Sequence, residues 1–350
     1  MKSHLEQTAL ALVAPGRGIL AADETVPTLT KRFDALTIPS TPTTRRDYRQ
    51  LLMTAPGVAQ FISGVILQDE TIRQQAADGT PLVAMCRQLG ILPGIKVDLG
   101  AKPLAGWPEE RVTEGLDGLR ERLAEYRELG ARFTKWRAVF GVSDRLPTAA
   151  CRAANAHALG RYAALCQEQE LVPIVEPEVL MDGSHTIERC EEVTGQVLQA
   201  VFATLDEQGV LLEGMLLKPN MVVPGTGCPI QASVQEVAEA TLRCLRRHVP
   251  PAVPGVVFLS GGQNDVLATR HLNAINQLEG PRPWSLTFSF GRALQDAALH
   301  VWGGKAENLA AAEQALYHRA RCNSLAASGA YTEVEEERAP GAALAGVSGG

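Results

Sequence analysis

Of the 33 lysines and arginines in this 350-residue chain, seven are lysine: Lys2, Lys31, Lys96, Lys102, Lys135, Lys218 and Lys305. Arginine stays protonated and cannot act as an amine nucleophile, whereas a desolvated lysine gives up its proton. Lysines kept in an arginine-rich chain are therefore candidates for carbonyl chemistry. Lys218 is the sharpest case. It follows Met215-Leu216-Leu217 and precedes Pro219-Asn220. An apolar wall disfavours an ammonium, and so would Lys135 if it lay close by; both free the amine to attack a carbonyl. Taken alone, the position suits a lysine snorkelling at a strand end equally well.

Other charges also sit inside apolar runs, where an unpaired charge is costly. Asp23-Glu24 ends one such run, Lys96 and Asp98 belong to another, Lys135 and Arg137 to a third, and Glu176 and Glu178 to a fourth. Residues at i and i+2 share a strand face, so two cations are expected opposite two carboxylates. A buried structural ion network is the alternative. Ser260-Gly261-Gly262 and Ser289-Phe290-Gly291-Arg292 end two further runs. Their glycines let backbone N–H groups approach an anion, with Arg292 adding a bidentate contact, or they simply make tight turns. Lys31-Arg32, preceded by Thr25 and Thr28 and helped by Lys96 and Arg137, forms either a second anion site or a solvated pair. Two anion sites around a nucleophilic lysine suit a sugar bisphosphate.

The elements that must hold these groups are legible. Eight short apolar runs recur at 18–22, 62–67, 91–97, 133–140, 171–179, 211–218, 255–260 and 284–290. Several are almost continuously hydrophobic, as strands covered on both faces should be. Between them lie amphipathic segments: Val112, Leu116, Leu119, Leu123 and Tyr126 in 111–128; Ile187, Cys190, Val193, Val197, Val201 and Leu205 in 185–207; Val234, Val237, Ala238, Leu242 and Leu245 in 231–247. Eight strand–helix units predict a parallel (β/α)8 TIM barrel with its active groups at the carboxyl ends of the strands. One domain, 1–327, is expected to hold the barrel and a further helix over 305–327. A Gly-, Ala- and Glu-rich flexible tail, 328–350, is expected to follow.

Composition narrows the partners. A net charge of −6 argues against nucleic acid. No apolar run reaches the about 18 residues of a membrane span, and MKSHLEQTAL has no signal-peptide hydrophobic stretch. A soluble, cytoplasmic protein is expected. Seven widely spaced cysteines form no C-x-x-C and read as reduced buried thiols. No H-E-x-x-H or other metal spacing occurs, so neither metal nor cofactor is expected.

Eight ordered motifs carry a family resemblance: GRGILAADET, SGVIL, GIKVD, TKWR, VPIVEPE, LLKPNM, FLSGGQ and FSFGRALQ. Over about residues 8 to 327 the chain resembles the class I fructose-1,6-bisphosphate aldolases. The resemblance implies a metal-free, reversible cleavage of fructose 1,6-bisphosphate to dihydroxyacetone phosphate and glyceraldehyde 3-phosphate. It makes Lys218 the Schiff-base lysine and Glu176 the acid/base of imine formation and hydrolysis. Glu178 orients and tunes the lysines, and Lys135 supports the carbinolamine. Asp23 helps deprotonate the C4 hydroxyl. Ser260, Gly261, Gly262, Gly291 and Arg292 match the C1-phosphate site. Thr25, Thr28, Lys31, Arg32, Lys96 and Arg137 match the C6-phosphate and hydroxyl contacts. A homotetramer is also implied.

Three departures stand out. Thr25-Val26-Pro27-Thr28 replaces a Ser-Thr-Gly-Ser-like loop, Phe290 replaces a tyrosine, and the chain ends in Gly350 where well-known animal members carry a terminal tyrosine. The last predicts proton transfer by another group or by water. The rival readings are a transaldolase or single-phosphate aldolase, a pyridoxal-phosphate barrel, and a non-catalytic sugar-phosphate sensor. A sensor is expected to have lost Asp23, Lys135, Glu176 or Lys218, and all four are present.

Overall fold

Each apolar run contains a strand, and the computed structural model, which describes residues 3–337, closes the eight into a parallel barrel. The barrel strands are β1 (Gly18–Ala21), β2 (Ile62–Leu67), β3 (Leu92–Lys96), β6 (Phe133–Phe140), β7 (Val172–Val179), β8 (Leu216–Leu217), β9 (Gly255–Phe258) and β10 (Ser285–Phe290). The ring runs β1-β10-β9-β8-β7-β6-β3-β2, so each strand neighbours the barrel strand before it in sequence, and β1 meets β10 to close the circle. This is a TIM barrel.

Alternate residues along the strands explain how an apolar floor supports a charged mouth. Ile19, Ala21, Ile66, Phe133, Val172, Ile174, Leu216 and Val257 form one buried cluster inside the barrel. Two residues further along the same faces stand Asp23 after Ala21, Lys135 after Phe133, Glu176 after Ile174, and Lys218 after Leu216. The intervening residues, among them Leu20, Val65, Trp136, Val175, Leu217, Phe258 and Phe290, belong to the layer between barrel and helices. Phe133 fits the floor because Gly64 and Gly94 carry no side chain: a Cβ on Gly94 would lie 2.3 Å from its ring. Helix α1 (His4–Leu12) plugs the amino-terminal end, placing Ala9 and Leu12 in the same cluster.

The outer layer consists of α2 (Val26–Asp34), α3 (Pro42–Thr54), α4 (Asp69–Ile72), α5 (Leu82–Gln88), α6 (Leu119–Leu129), α7 (Ala149–Glu168), α8 (Ile187–Glu207), α9 (Val234–His248), α10 (Asp265–Gln277), α11 (Arg292–Trp302) and α12 (Leu309–Ala327). Their starts are set by local chemistry. The Thr186 side chain accepts from the Arg189 N–H at α8, and Ser233 and Glu236 form a reciprocal capping box at α9. In α8 the stripe Cys190, Val193, Val197, Val201 and Leu205 is buried, as its spacing requires.

Two expected elements differ. The helix expected over 111–128 begins only at Leu119. Residue Val112 belongs to β5 (Trp107–Thr113), which pairs antiparallel with β4 (Ala101–Leu104) in a hairpin that brings Lys102 opposite Val112. The strand expected over 211–218 opens with a 3-10 turn, Leu212–Gly214, and only Leu216–Leu217 pair as strand. Of the expected tail, residues 328–337 pack on the body: Tyr331 is buried, and α13 (Val334–Glu337) follows it. Residues 338–350 lie outside the described residues. All seven cysteines are buried and free of disulfides. Among the described residues no helix is long and apolar enough to cross a membrane.

Candidate active site

The carboxyl ends of the barrel strands converge on one cleft of about 270 Å³. At its base Lys218 Nζ stands 3.2 Å from Glu176 Oε1, and Lys135 Nζ stands 3.2 Å from Glu176 Oε2. One carboxylate thus bridges two lysines. Lys135 also meets Asp23 Oδ2 at 2.6 Å and lies 4.0 Å from Asp98 Oδ2. All four side chains of the chain Asp23–Lys135–Glu176–Lys218 are at most 14% exposed. Local structure aims them. Lys218 leaves β8 with its N–H donating to the Val175 carbonyl at 2.8 Å, which fixes it beside β7. The Cα of Arg137 pairs with Glu176 in the β6–β7 register, yet Lys135 reaches Glu176 and Arg137 reaches Glu178. Each cation therefore meets the carboxylate one step further up the neighbouring strand's face, as tilted barrel strands allow.

This packing fixes charge states. Burial alone would raise the Asp23 carboxyl, but the ammonium groups of Lys135 and Lys218 outweigh it and hold it at about 2. Burial alone would lower Lys135, but Asp23, Glu176 and Asp98 keep it above the ordinary lysine value. Arg137 is held high in the same way, with Glu178 as its main partner.

Above this layer the cleft is lined by Glu24, Thr25, Thr28, Arg32, Lys96, Arg137, Glu178, Ser260, Gly261, Gly262, Ser289, Gly291 and Arg292. Gly261 and Gly262 adopt left-handed φ angles of +61° and +93°, a turn that favours glycine. A Cβ built on Gly262 would lie 3.5 Å from an Arg292 Nη, so the turn after β9 faces the start of α11. After β1, which adjoins β10 in the ring, Thr25 stands at the N-cap position of α2, and its hydroxyl lies 3.0 Å from that of Thr28 in the first helical turn.

Every residue expected at the site lines this cleft except Lys31, which is exposed outside it. Helix α2 turns Arg32 inward and Lys31 outward. Arg32 itself is bound to Glu24 and Asp296 and donates to Gln295 at 3.0 Å. Glu178 pairs with Arg137 rather than with a lysine, so the groups that act on Lys135 are Asp23, Glu176 and Asp98.

Three residues noted at strand ends in the sequence, but given no role there, complete the constellation. Glu24, gripped by Arg32 and by Arg49 at 2.6 Å, anchors the chain just after Asp23. Asp98, 6% exposed, holds Lys96 Nζ at 2.5 Å and stands next to Lys135. Ser289 presents a buried hydroxyl with no hydrogen-bond partner at the cleft, an unmet group that a polar substrate would satisfy. Its signal was a serine just before the Phe290-Gly291-Arg292 strand end. Elsewhere among the described residues, His318, Cys322 and Glu336 offer ligand atoms within 4.8 Å of one another. However, Arg319 holds both Glu336 oxygens, and the Tyr331 hydroxyl donates to Oε1 at 2.7 Å. The cluster is an ion-paired anchor for α13.

A cleft with a shared carboxylate, two lysines, a glycine turn and further cationic side chains on its rim suits addition of an amine to a phosphorylated ketose. Comparison with known proteins agrees. The family described as fructose-bisphosphate aldolase class-I matches residues 4–345. The "Probable fructose-bisphosphate aldolase class 1" of Xanthomonas campestris is 57% identical over 327 residues, spanning 93% of this chain and 98% of that one. The "Fructose-bisphosphate aldolase C" of Rattus norvegicus is 52% identical over 331 residues, 94% of this chain and 91% of the relative. A Plasmodium falciparum fructose-bisphosphate aldolase, solved in a ternary complex with TRAP and a small-molecule inhibitor, superposes with a TM-score of 0.93 at 51% identity, covering 94% and 95% of the two chains.

Proposed function

This chain belongs to the class I fructose-bisphosphate aldolases, lyases that cleave their substrate through a lysine Schiff base, and from that premise we propose how its residues divide the work. The substrates are sugar bisphosphate in one direction and the two triose phosphates in the other. Lys218 passes its ammonium proton to Glu176 and adds to the C2 ketone, and a second proton moves from the nitrogen to the carbonyl oxygen, giving a neutral carbinolamine. Glu176, 3.2 Å from Lys218, delivers and removes the protons that convert this carbinolamine to an iminium ion and water. Lys135 stabilises the oxygen of the carbinolamine and keeps Asp23 ionised.

Carbon–carbon cleavage then follows from charge. Asp23 accepts the C4 hydroxyl proton, C4 becomes the aldehyde, and the C3–C4 electron pair moves into the iminium. The positive nitrogen serves as the electron sink. Protonation of the enamine at C3 and hydrolysis release dihydroxyacetone phosphate. Glu178, with Arg137, orients the upper wall. Ser260, Gly261, Gly262, Gly291 and Arg292 receive the C1 phosphate. Thr25, Thr28, Arg32, Lys96 and Arg137 face the C6 phosphate and hydroxyls. Lys31 adds positive field from outside the cleft.

The catalytic unit is the barrel of residues 1–327, with 328–350 serving no chemical step. We also infer a homotetramer working in the cytoplasm. The observation that carries the mechanism is one buried carboxylate bridging Lys135 and Lys218. Lys218→Arg keeps the positive charge but removes the nucleophile, so steady-state cleavage should vanish in a folded enzyme. Substantial turnover by that variant would remove Lys218 from the mechanism.

A further inference from the structure

His271, on α10, has no part in the steps above, yet it is tied to the turn Ser260-Gly261-Gly262. It is 3% exposed, and its Nδ1 lies 2.5 Å from Gln263 Oε1. The Gln263 side-chain amide donates to the Ser260 carbonyl at 3.0 Å, and the Gln263 backbone N–H donates to the same oxygen at 3.0 Å. With its NH2 committed there, Gln263 must turn its oxygen to His271, and the imidazole must donate from Nδ1. Burial, with Arg270 adding to it, pushes His271 down to about 4, so the ring is neutral and has one N–H to give. Its other nitrogen is buried without a partner. An apolar side chain would fill this space without that cost, so packing alone does not account for a histidine here.

The Ser260 carbonyl and the Gly261 N–H belong to one planar peptide and point in opposite directions. A carbonyl pinned inward therefore turns the Gly261 N–H outward, and Gly261 lines the cleft. We propose that His271 is a positioning residue: through Gln263 it locks the Ser260–Gly261 peptide so that the Gly261 N–H faces the C1 phosphate. This rests on the reading of Ser260–Gly262 as the C1-phosphate turn.

The test is kinetics in the condensation direction, with dihydroxyacetone phosphate and glyceraldehyde 3-phosphate varied separately. His271→Leu should raise KM for dihydroxyacetone phosphate about three- to tenfold, the size of one lost hydrogen bond. KM for glyceraldehyde 3-phosphate should not change. His271→Asn places an N–H near the Nδ1 position and should restore the first KM. The relay is wrong if His271→Leu leaves that KM unchanged while Arg292→Ala raises it. It is also wrong if both KM values rise together, or if His271→Asn is as impaired as His271→Leu. If Arg292→Ala leaves the dihydroxyacetone phosphate KM unchanged too, the phosphate assignment has failed and the relay with it. Should His271→Leu not fold, Gln263→Leu breaks the same link and carries the same outcomes.

Discussion

Lys135 Nζ lies 2.6 Å from Asp23 Oδ2 at the base of the cleft, with the two side chains 4% and 14% exposed. The Asp23 carboxyl sits at about 2, below its ordinary 3.8, so its contribution to stability is present above pH 3.8 and is lost as pH falls through 2. Lys135 is raised above 10.5, so its contribution is present below pH 10.5 and is lost only as pH rises further. Between those limits the pair is constant. Lys135→Met leaves Asp23 and Glu176 with a buried charge too many and should lower unfolding free energy by roughly 3 kcal/mol at neutral pH. That deficit should shrink on acidification, because Asp23 protonates earlier without its partner. Urea unfolding at pH 7 and pH 4 measures both. Unchanged stability at pH 7, or a deficit that grows in acid, contradicts the arrangement.

The two rims should separate kinetically. The Thr25 and Thr28 hydroxyls lie 3.0 Å apart at the start of α2, after β1, whereas the Ser260 turn follows β9. Thr28→Ala should raise KM for glyceraldehyde 3-phosphate and for the bisphosphate by about three- to tenfold, one hydrogen bond's worth. KM for dihydroxyacetone phosphate, and activity on fructose 1-phosphate, should stay put. Steady-state assays on all four compounds decide it, and an effect confined to dihydroxyacetone phosphate would reverse the assignment.

The start of the carboxyl-terminal segment is held by charge. Burial would raise Glu336, but hydrogen bonds from Arg319 and Tyr331, with His318 Nε2 3.9 Å away, bring it to about 2 from an ordinary 4.5. Its stabilising effect is therefore present above pH 4.5 and fades as pH falls toward 2. Glu336→Gln should cost about 2 kcal/mol at pH 7, within the range for hydrogen bonds to a charged group. Truncation after residue 337 spares this anchor and should leave the rate of C3 proton exchange close to that of the full chain. A large loss of exchange would place the proton donor beyond residue 337.

Much of this was legible in the residues, for a physical reason. A parallel barrel buries both strand faces, so runs such as Ile62–Leu67 and Phe133–Phe140 stand out, and any charge inside them signals a site. Asp23, Lys135, Glu176 and Lys218 were visible on that ground. The hairpin at Ala101–Thr113 was not. It sits outside the barrel, most of its residues face solvent, and the chance spacing of Val112, Leu116 and Leu119 imitates a helix face. Adjacent residues on a helix point about 100° apart, so the sequence did not show which of Lys31 and Arg32 lines the cleft; Arg32 does. Glu24 and Asp98 were visible at strand ends but received no role, because their roles lie in partners distant in sequence. Arg49 and Lys135 reveal them only once the chain is folded.

Lys218 Nζ should become covalently bonded to the ketose during turnover, and hydride trapping captures that bond. The full-length enzyme is incubated with dihydroxyacetone phosphate, reduced with borohydride, digested and mapped by mass spectrometry. One adduct per chain on the peptide bearing Lys218 is expected. It should persist in Asp23→Asn, which forms the iminium but cleaves about 10² to 10⁴ times more slowly, and be absent in Lys218→Arg. An unmodified chain during continued turnover, or an adduct on Lys135 instead, would contradict the account.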